Sequence, residues 1–386
     1  MNEVVYGAVW NDLLGQPEAI AQLEQAVRHR DRGVQHAWLL TGPPGSGRSN
    51  LAVAFAAALL CEEQGCGVCK SCRLVMTGAH PDVAVLSTEK VTISIDEVRS
   101  MVATSNFGSS MGRYKIMIIE DADRMAERSS NVLLKALEEP PAGTIWLLCA
   151  PSEADMLPTI RSRVRKVGLK VPSIEEVARI LVERDGVDQK LALQVAAESQ
   201  SHIGMARRLA TSLDARNRRR DTLVSALAIK TVTDAVNTAE RWLDIAKKDA
   251  EALTAERDDE EKAGLLRSMG IEAGAAIPAG LRTDIRQLEE AQKRRATRSL
   301  RDGIDRIMVD LLSLYRDVLS LQLATGSALV NADLRPQLES LAVASSSAQT
   351  ITKLDAIATA RIRVDSNVQA LLALEALAVT LRRTGE

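Results

Sequence analysis

The run Thr41-Gly42-Pro43-Pro44-Gly45-Ser46-Gly47-Arg48-Ser49 has the phosphate-loop pattern G-x-x-x-x-G-K-[ST], with arginine where the pattern has lysine. The apolar run Ala37-Trp38-Leu39-Leu40 leads into it, and the alanine- and leucine-rich stretch Leu51–Leu60 follows it. Strand, glycine loop and helix in that order predict an α/β fold with a nucleotide site at the end of a central strand. Glycines let consecutive backbone N–H groups turn inward to phosphate oxygens, and the positive helix end adds to the pull. Gly42, Gly45, Gly47, Arg48, Ser49 and Asn50 are therefore candidate nucleotide-binding residues. ATP or ADP with Mg²⁺ is the ligand class implied. Arg48 keeps the positive charge, but its planar fork does not occupy the point between two phosphates that a lysine ammonium does. The loop points to a nucleotide, and the arginine points away from hydrolysis by this chain alone.

A nucleoside triphosphatase also needs acidic residues at the end of a neighbouring strand. Ile116-Met117-Ile118-Ile119-Glu120-Asp121 supplies them. One carboxylate would hold Mg²⁺ through water and the other would orient the attacking water. The usual order is Asp then Glu, and here it is Glu120 then Asp121. The exchange alters each side chain's reach by one methylene, enough to misplace a reacting group.

Up to about Lys170, short apolar runs alternate with amphipathic segments. Strands are expected at 37–41, 82–86, 115–120 and 144–150. Helices are expected at 95–105 and at 128–138, the latter stopped by Pro140-Pro141. Continuous apolar strands joined by helices predict a parallel sheet covered on both faces. From Val171-Pro172-Ser173 onward the pattern is helical, with Ser173 as an N-cap. We expect three domains: a nucleotide-binding domain at 1–170, a small helical lid at 171–213, and an all-helical domain at 214–386. The basic run Arg216–Arg220 marks the last boundary. The almost wholly charged stretch Lys247–Lys262 and the Gly/Ala-rich stretch Gly264–Gly280 read as an exposed helix and a mobile connection, an insert near 247–280.

The chain has 386 residues, with 49 Lys+Arg against 51 Asp+Glu, so bulk charge predicts no strong attraction to DNA or membrane. With 2% aromatic residues and many Ala, Leu, Arg and Glu, the composition favours helix. No signal-peptide pattern opens the sequence, and the longest apolar run, Leu51–Cys61, is too short to span a bilayer. The expected location is the cytoplasm, with no membrane partner. The basic patch Lys293-Arg294-Arg295 reads as a solvated helix face, with nucleic-acid contact as the alternative.

Four of the five cysteines, Cys61, Cys66, Cys69 and Cys72, fall within a dozen residues, the last three spaced C-x2-C-x2-C. In a cytosolic chain such clustering reads as thiolate coordination of Zn²⁺, with an iron–sulfur centre as the alternative. His80 could stand in for one cysteine or be a plain loop residue, and Cys149 reads as a buried strand thiol.

Two segments carry a family resemblance: Asn131-Val132-Leu133-Leu134-Lys135-Ala136-Leu137-Glu138-Glu139-Pro140-Pro141 and Leu157-Pro158-Thr159-Ile160-Arg161-Ser162-Arg163-Val164. Together with Val9-Trp10, Leu13-Leu14-Gly15-Gln16 and the cysteine cluster, they resemble AAA+ clamp-loader subunits of bacterial DNA polymerase III, above all the delta-prime kind. The resemblance covers about residues 9–210 and is architectural beyond them.

The resemblance implies an α/β AAA+ parallel-sheet domain with a zinc module, then a helical lid and a collar domain. It implies that Arg163 is a catalytic arginine acting in trans on the neighbouring subunit's γ-phosphate, although Val164 replaces the family's cysteine. It implies that Arg207 senses nucleotide from the lid, while Ala150 stands where relatives carry a polar sensor. The implied partners are gamma/tau and delta subunits in a hetero-oligomeric ring, the sliding clamp, and primer-template DNA contacted through its backbone. Leu311, Leu312, Leu314, Leu319 and Leu321 would close the collar or form an intrachain core. Rival readings are a hydrolysing gamma/tau-like motor, another AAA+ remodelling ATPase, and a zinc-stabilised interaction domain with a relict loop.

Overall fold

The structure is a computed structural model that describes residues 7–382, apart from 12, 14, 44, 89–91, 269–281 and 367. Leu14, Pro44 and most of the Gly/Ala-rich stretch named above therefore lie outside the described residues. The chain divides into two compact units, Met1–Thr211 and Ser212–Glu386.

The first unit is built on five parallel strands: β1 (Ala37–Thr41), β2 (Val83–Leu86), β3 (Lys115–Ile119), β4 (Thr144–Ala150) and β5 (Arg165–Gly168). Their order is β2-β3-β4-β1-β5. The centre of the sheet is apolar on both faces, with β3 and β4 buried at every position. Such strands must be covered on both sides by helices, and the connections here supply them. They are α1 (Pro17–Arg28), α2 (Arg48–Leu60), α3 (Lys70–Met76), α4 (Ile95–Ser105), α5 (Glu127–Glu138) and α6 (Pro158–Arg161). One apolar cluster, including Trp10, Trp38, Phe55 and Leu147, packs α1 and α2 on one face of the sheet. Another, including Val98, Leu133, Trp146 and Ile160, packs α4 and α5 on the other. The expected parallel α/β sheet is the one observed.

The fifth strand is not legible as a strand. Arg165–Gly168 buries only Val167 and exposes the other three residues, because it lies at the sheet edge beside β1 alone. An edge strand needs no apolar run, so the pattern that marks the inner strands is missing from it.

A helical segment follows: α7 (Ile174–Asp185), α8 (Gln189–Glu198) and α9 (Ile203–Thr211). Ser173 caps α7 as its sequence suggests: its hydroxyl accepts from the Glu176 N–H, and the Glu176 carboxylate accepts from the Ser173 N–H.

The second unit is all helix among its described residues: α10 (Leu213–Leu227), α11 (Val232–Ser268), α12 (Arg282–Gln322), α13 (Arg335–Val343), α14 (Ser347–Asp365) and α15 (Ala370–Leu381). The basic run Arg216–Arg220 lies inside α10, with Arg219 buried. Leu311 and Leu314 belong to this unit's own core, while Leu312 and Leu321 pack at its margin. Two surface expectations change. Arg295 is 9% exposed, and its guanidinium pairs with Asp258 and with Glu261 at 3.0 Å. The patch 293–295 is thus neither wholly solvated nor wholly free for a polyanion, because α11 and α12 lie side by side and bury that position. The charged stretch likewise buries Ala250 and Thr254 on its inner face.

Candidate functional site

The loop after β1 turns sharply, and two of its glycines carry positive φ, Gly45 at +81° and Gly47 at +90°. That backbone is open to glycine and strained for other residues. Gly47 caps α2, and its carbonyl accepts from the Leu51 N–H at 2.8 Å. At the base of the loop the Gly42 N–H reaches the carbonyls of Ala150 (3.3 Å) and Pro151 (3.1 Å). β1 is thereby tied to the end of β4.

Arg48, the first residue of α2, turns inward. One guanidinium nitrogen donates to the Gly42 carbonyl, and the other lies 3.5 Å from Asp121 Oδ1. Asp121 also faces Arg124 Nε at 3.6 Å and has a left-handed φ of +48°. Loop arginine and strand-end carboxylate are therefore joined, closing the charge of the site on itself. Glu120 is half-buried at the end of β3, its N–H donating to the Leu86 carbonyl at 2.9 Å. Burial pushes the carboxyl of Asp123 above its ordinary value, and its Oδ1 has no hydrogen-bond partner among the described residues.

A cavity of about 390 Å³ opens beside the loop, lined by Gly45, Ser46, Gly47, Arg48, Ser49 and Asn50. Leu13 and Gln16 form another wall, and Arg184, His202, Ile203, Gly204 and Arg207 complete it. The structure thus gathers Gly45, Gly47, Arg48, Ser49, Asn50 and Arg207 around one space, while Gly42, Glu120 and Asp121 do not line it. Gln16 holds its wall in place by two bonds to Lys170: its amide donates to the Lys170 carbonyl at 2.8 Å, and its oxygen accepts from the Lys170 N–H at 2.9 Å. Arg207 lies 3.1 Å from Asp185 Oδ1, and Arg184 Nε lies 3.4 Å from the same oxygen.

Sequence reasoning missed Ser46, Arg184, Asp185 and His202. The ring of His202 packs so closely on Gly45 that a Cβ there would come within 2.3 Å of it. The separation of α9 from the loop along the chain hides this contact, and only the requirement for glycine at 45 hints at it.

Arg163 is not part of this cavity. It follows α6 and is 36% exposed, with its guanidinium 2.7 Å from Glu138 Oε1 at the end of α5. The same side chain donates to the Thr159 carbonyl at 2.7 Å and to the Ser162 hydroxyl at 3.0 Å. The two segments on which the resemblance rested are thus joined by one ion pair.

The four clustered cysteines converge between α2 and α3. Cys61 Sγ lies 3.7 Å from Cys66 Sγ and 3.8 Å from Cys69 Sγ, and all four sulfurs lie within 4.8 Å of one another. A tetrahedral ion with Zn–S bonds of about 2.3 Å would set its sulfurs about 3.8 Å apart. This set fits a single ion and is too tight for a multi-iron cluster. Backbone N–H groups of Cys66, Cys69 and Cys72 donate to the sulfurs of Cys61, Cys66 and Cys69 at 3.4 to 3.5 Å. Burial works to raise the Cys61 thiol, but the Cys66 and Gly65 N–H groups outweigh it and bring it down to about 7. His80 is not a fifth member: it is buried, and its Nδ1 accepts from the Asp82 N–H at 3.1 Å. Cys149 is the expected buried strand thiol, pushed up to about 12 by burial.

Residues 15–173 match the protein family described as "DNA polymerase III, delta subunit". DNA polymerase III subunit delta' of Pseudomonas aeruginosa is 38% identical over 170 residues, 41% of this chain and 52% of that protein. The subunit of the same name from Escherichia coli K12 is 33% identical over 199 residues, 50% of this chain and 59% of that protein. DNA polymerase III subunit tau of Escherichia coli K12 is 28% identical over 196 residues, 49% of this chain and 30% of that protein. The chain spans about half the length of the delta' relatives it matches.

Proposed function

We propose, from the match of residues 15–173 to the family described as "DNA polymerase III, delta subunit", that this chain is a delta-prime-type subunit of the clamp loader. Its role is that of a stator. It stands in a hetero-oligomeric ring with gamma/tau and delta subunits, completes the adjacent gamma/tau site with Arg163, and helps place the sliding clamp on primer-template DNA. The observation that carries this reading is the fold-back of Arg48 onto the Gly42 carbonyl and Asp121. A loop cation spent on its own backbone and on the strand-end carboxylate is not placed to follow a phosphoryl group into its transition state. Arg163 is instead 36% exposed: it too is held, by Glu138, the Thr159 carbonyl and the Ser162 hydroxyl, but at the surface, where a stronger anion can compete for it.

In this reading Arg163 leaves Glu138 when a neighbour's triphosphate comes within reach and stabilises charge on the transferred phosphoryl group. DNA contact is backbone-directed and needs only an inner basic surface, which a near-neutral chain can still present. The cysteine cluster carries a structural Zn²⁺ that fixes the turn between α2 and α3.

The test is the clamp- and DNA-stimulated ATPase of the reconstituted loader, comparing wild type with Arg163→Ala. A fall of about tenfold or more with assembly intact is expected, since an arginine supplied in trans is worth ~10³–10⁵ at the site it serves. Unchanged turnover would make Arg163 structural and remove the stator role. Turnover by the isolated chain would instead identify a motor of the gamma/tau kind.

A further inference from the structure

We propose that the loop site takes a nucleoside di- or triphosphate without a divalent cation, the phosphate charge being met by Arg184 and Arg207. The inference rests on reading the loop as a nucleotide site and assigns that site its ion requirement.

Mg²⁺ does not fit the groups present. It demands near-octahedral oxygen ligation and is held at nucleotide sites by one or two carboxylates together with the phosphates. Neither strand-end carboxylate, Glu120 nor Asp121, lines the cavity, and Asp121 lies against two guanidinium groups, Arg48 at 3.5 Å and Arg124 at 3.6 Å. A second Arg48 nitrogen is fixed on the Gly42 carbonyl, so the guanidinium is anchored at two points. A divalent cation would have to displace that cation from its carboxylate and then lie beside it. Asp123 does not replace Asp121, because it does not line the cavity either.

The anion-binding features of the loop are untouched by this pairing. Helix α2 runs for 13 residues and directs its N-terminus at the cavity. Ser46 lines the same cavity at 3% exposure, and its hydroxyl has no hydrogen-bond partner among the described residues. A buried hydroxyl left unpaired is costly, so the loop keeps an unmet hydrogen-bonding group beside the cavity. Across the cavity Arg184 and Arg207 share the single oxygen Asp185 Oδ1, leaving one positive charge without a counter-ion in this trio. The positive charge facing a ligand therefore comes from α7 and α9, not from a loop cation and a metal.

The experiment is a calorimetric titration of the full chain with ADP and with ATP, with Mg²⁺ and in buffer freed of it by chelating resin. EDTA is avoided because it competes for cysteine-bound metal. The two conditions should give dissociation constants equal within about twofold for wild type. Arg48→Lys, which releases Asp121, should gain about tenfold in affinity from Mg²⁺, and Arg184→Ala with Arg207→Ala should lose about tenfold in both buffers. Wild-type binding weakened about tenfold or more by removing Mg²⁺ would overturn the proposal, as would Arg48→Lys responding to Mg²⁺ no differently from wild type. Absence of saturable binding would overturn both the proposal and the nucleotide-site reading, while the Arg163→Ala comparison would still decide the stator role.

Discussion

Asp82 is wholly buried beside the strand start and is held by one loop. Its carboxylate accepts from the N–H groups of Ser110 (2.6 Å), Met111 (2.7 Å) and Gly112 (2.8 Å) and from the Ser110 hydroxyl (2.8 Å). Burial pulls its pKa up, but these donors outweigh it and hold the group at about 2, below its ordinary 3.8. The folded value lies below the unfolded one, so the stabilisation is in force above pH 3.8 and is lost as pH falls toward 2. A shift of this size corresponds to about 2 kcal/mol. His80 acts in the same sense, since burial lowers its pKa and acid must charge a buried ring. Asp82→Asn is therefore expected to cost about 2–3 kcal/mol at neutral pH and to flatten the acid limb of a denaturation midpoint measured against pH. An unchanged acid limb would show that the loop does not depend on the carboxylate. The consequence is not confined to the loop, because Met111 and Gly112 line the same cavity as Cys61, Cys66 and Cys69.

At the scale of elements, α2 links both candidate sites, with the phosphate loop at its N-terminus and Cys61 just past its C-terminus. Thirteen residues of alanine-rich helix, nine of them buried, set this separation. Alanine suits a helix that must lie close to the sheet, and it allows Phe55 to meet Trp38 edge-on with ring centroids 5.1 Å apart. Metal analysis of freshly purified, reduced protein should find about one Zn²⁺ per chain, and Cys69→Ala should abolish it and lower the thermal midpoint. Metal content below about one-tenth of an ion per chain would sink the zinc assignment. The inner strands and most of their helices were legible because apolar runs of strand length bounded by glycine or proline leave few alternatives. Strand β5 was not, since Arg165 and Lys166 pay no penalty at an open edge. Arg165 even uses its position to lay its guanidinium 5.0 Å from the Trp38 ring centroid.

At the scale of the whole molecule, each unit has its own core, and the second also has a buried polar network. Arg219 donates from Nε to Asp310 Oδ1 at 3.1 Å and from Nη2 to Asn331 Oδ1 at 2.6 Å. Asn331 donates to Asp317 Oδ2 at 3.0 Å and to the Ser313 hydroxyl at 3.1 Å, so α10, α12 and the segment before α13 are joined. Removing one member of a buried ion pair costs about 3–5 kcal/mol. Arg219→Ala in the full chain is thus expected to lower the unfolding midpoint of residues 212–386 and to leave the metal content of the first unit unchanged. Hydrogen exchange resolved along the chain would check it, and equal loss of protection in both units would contradict two separate cores. Among the described residues no helix is long and apolar enough to cross a membrane.

The sequence by itself determined the parallel α/β class, the glycine loop, the acidic strand end and the cysteine set. Each of these is written in residues near one another along the chain, where spacing alone restricts the geometry. Tertiary structure decided what those residues meet. That Arg48 closes on Asp121, that His202 covers Gly45, that Arg163 rests on Glu138 and that Arg295 is buried are all contacts across long stretches of chain. A side chain's partner is set by how helices pack on the sheet and on each other, and local pattern carries no record of that packing.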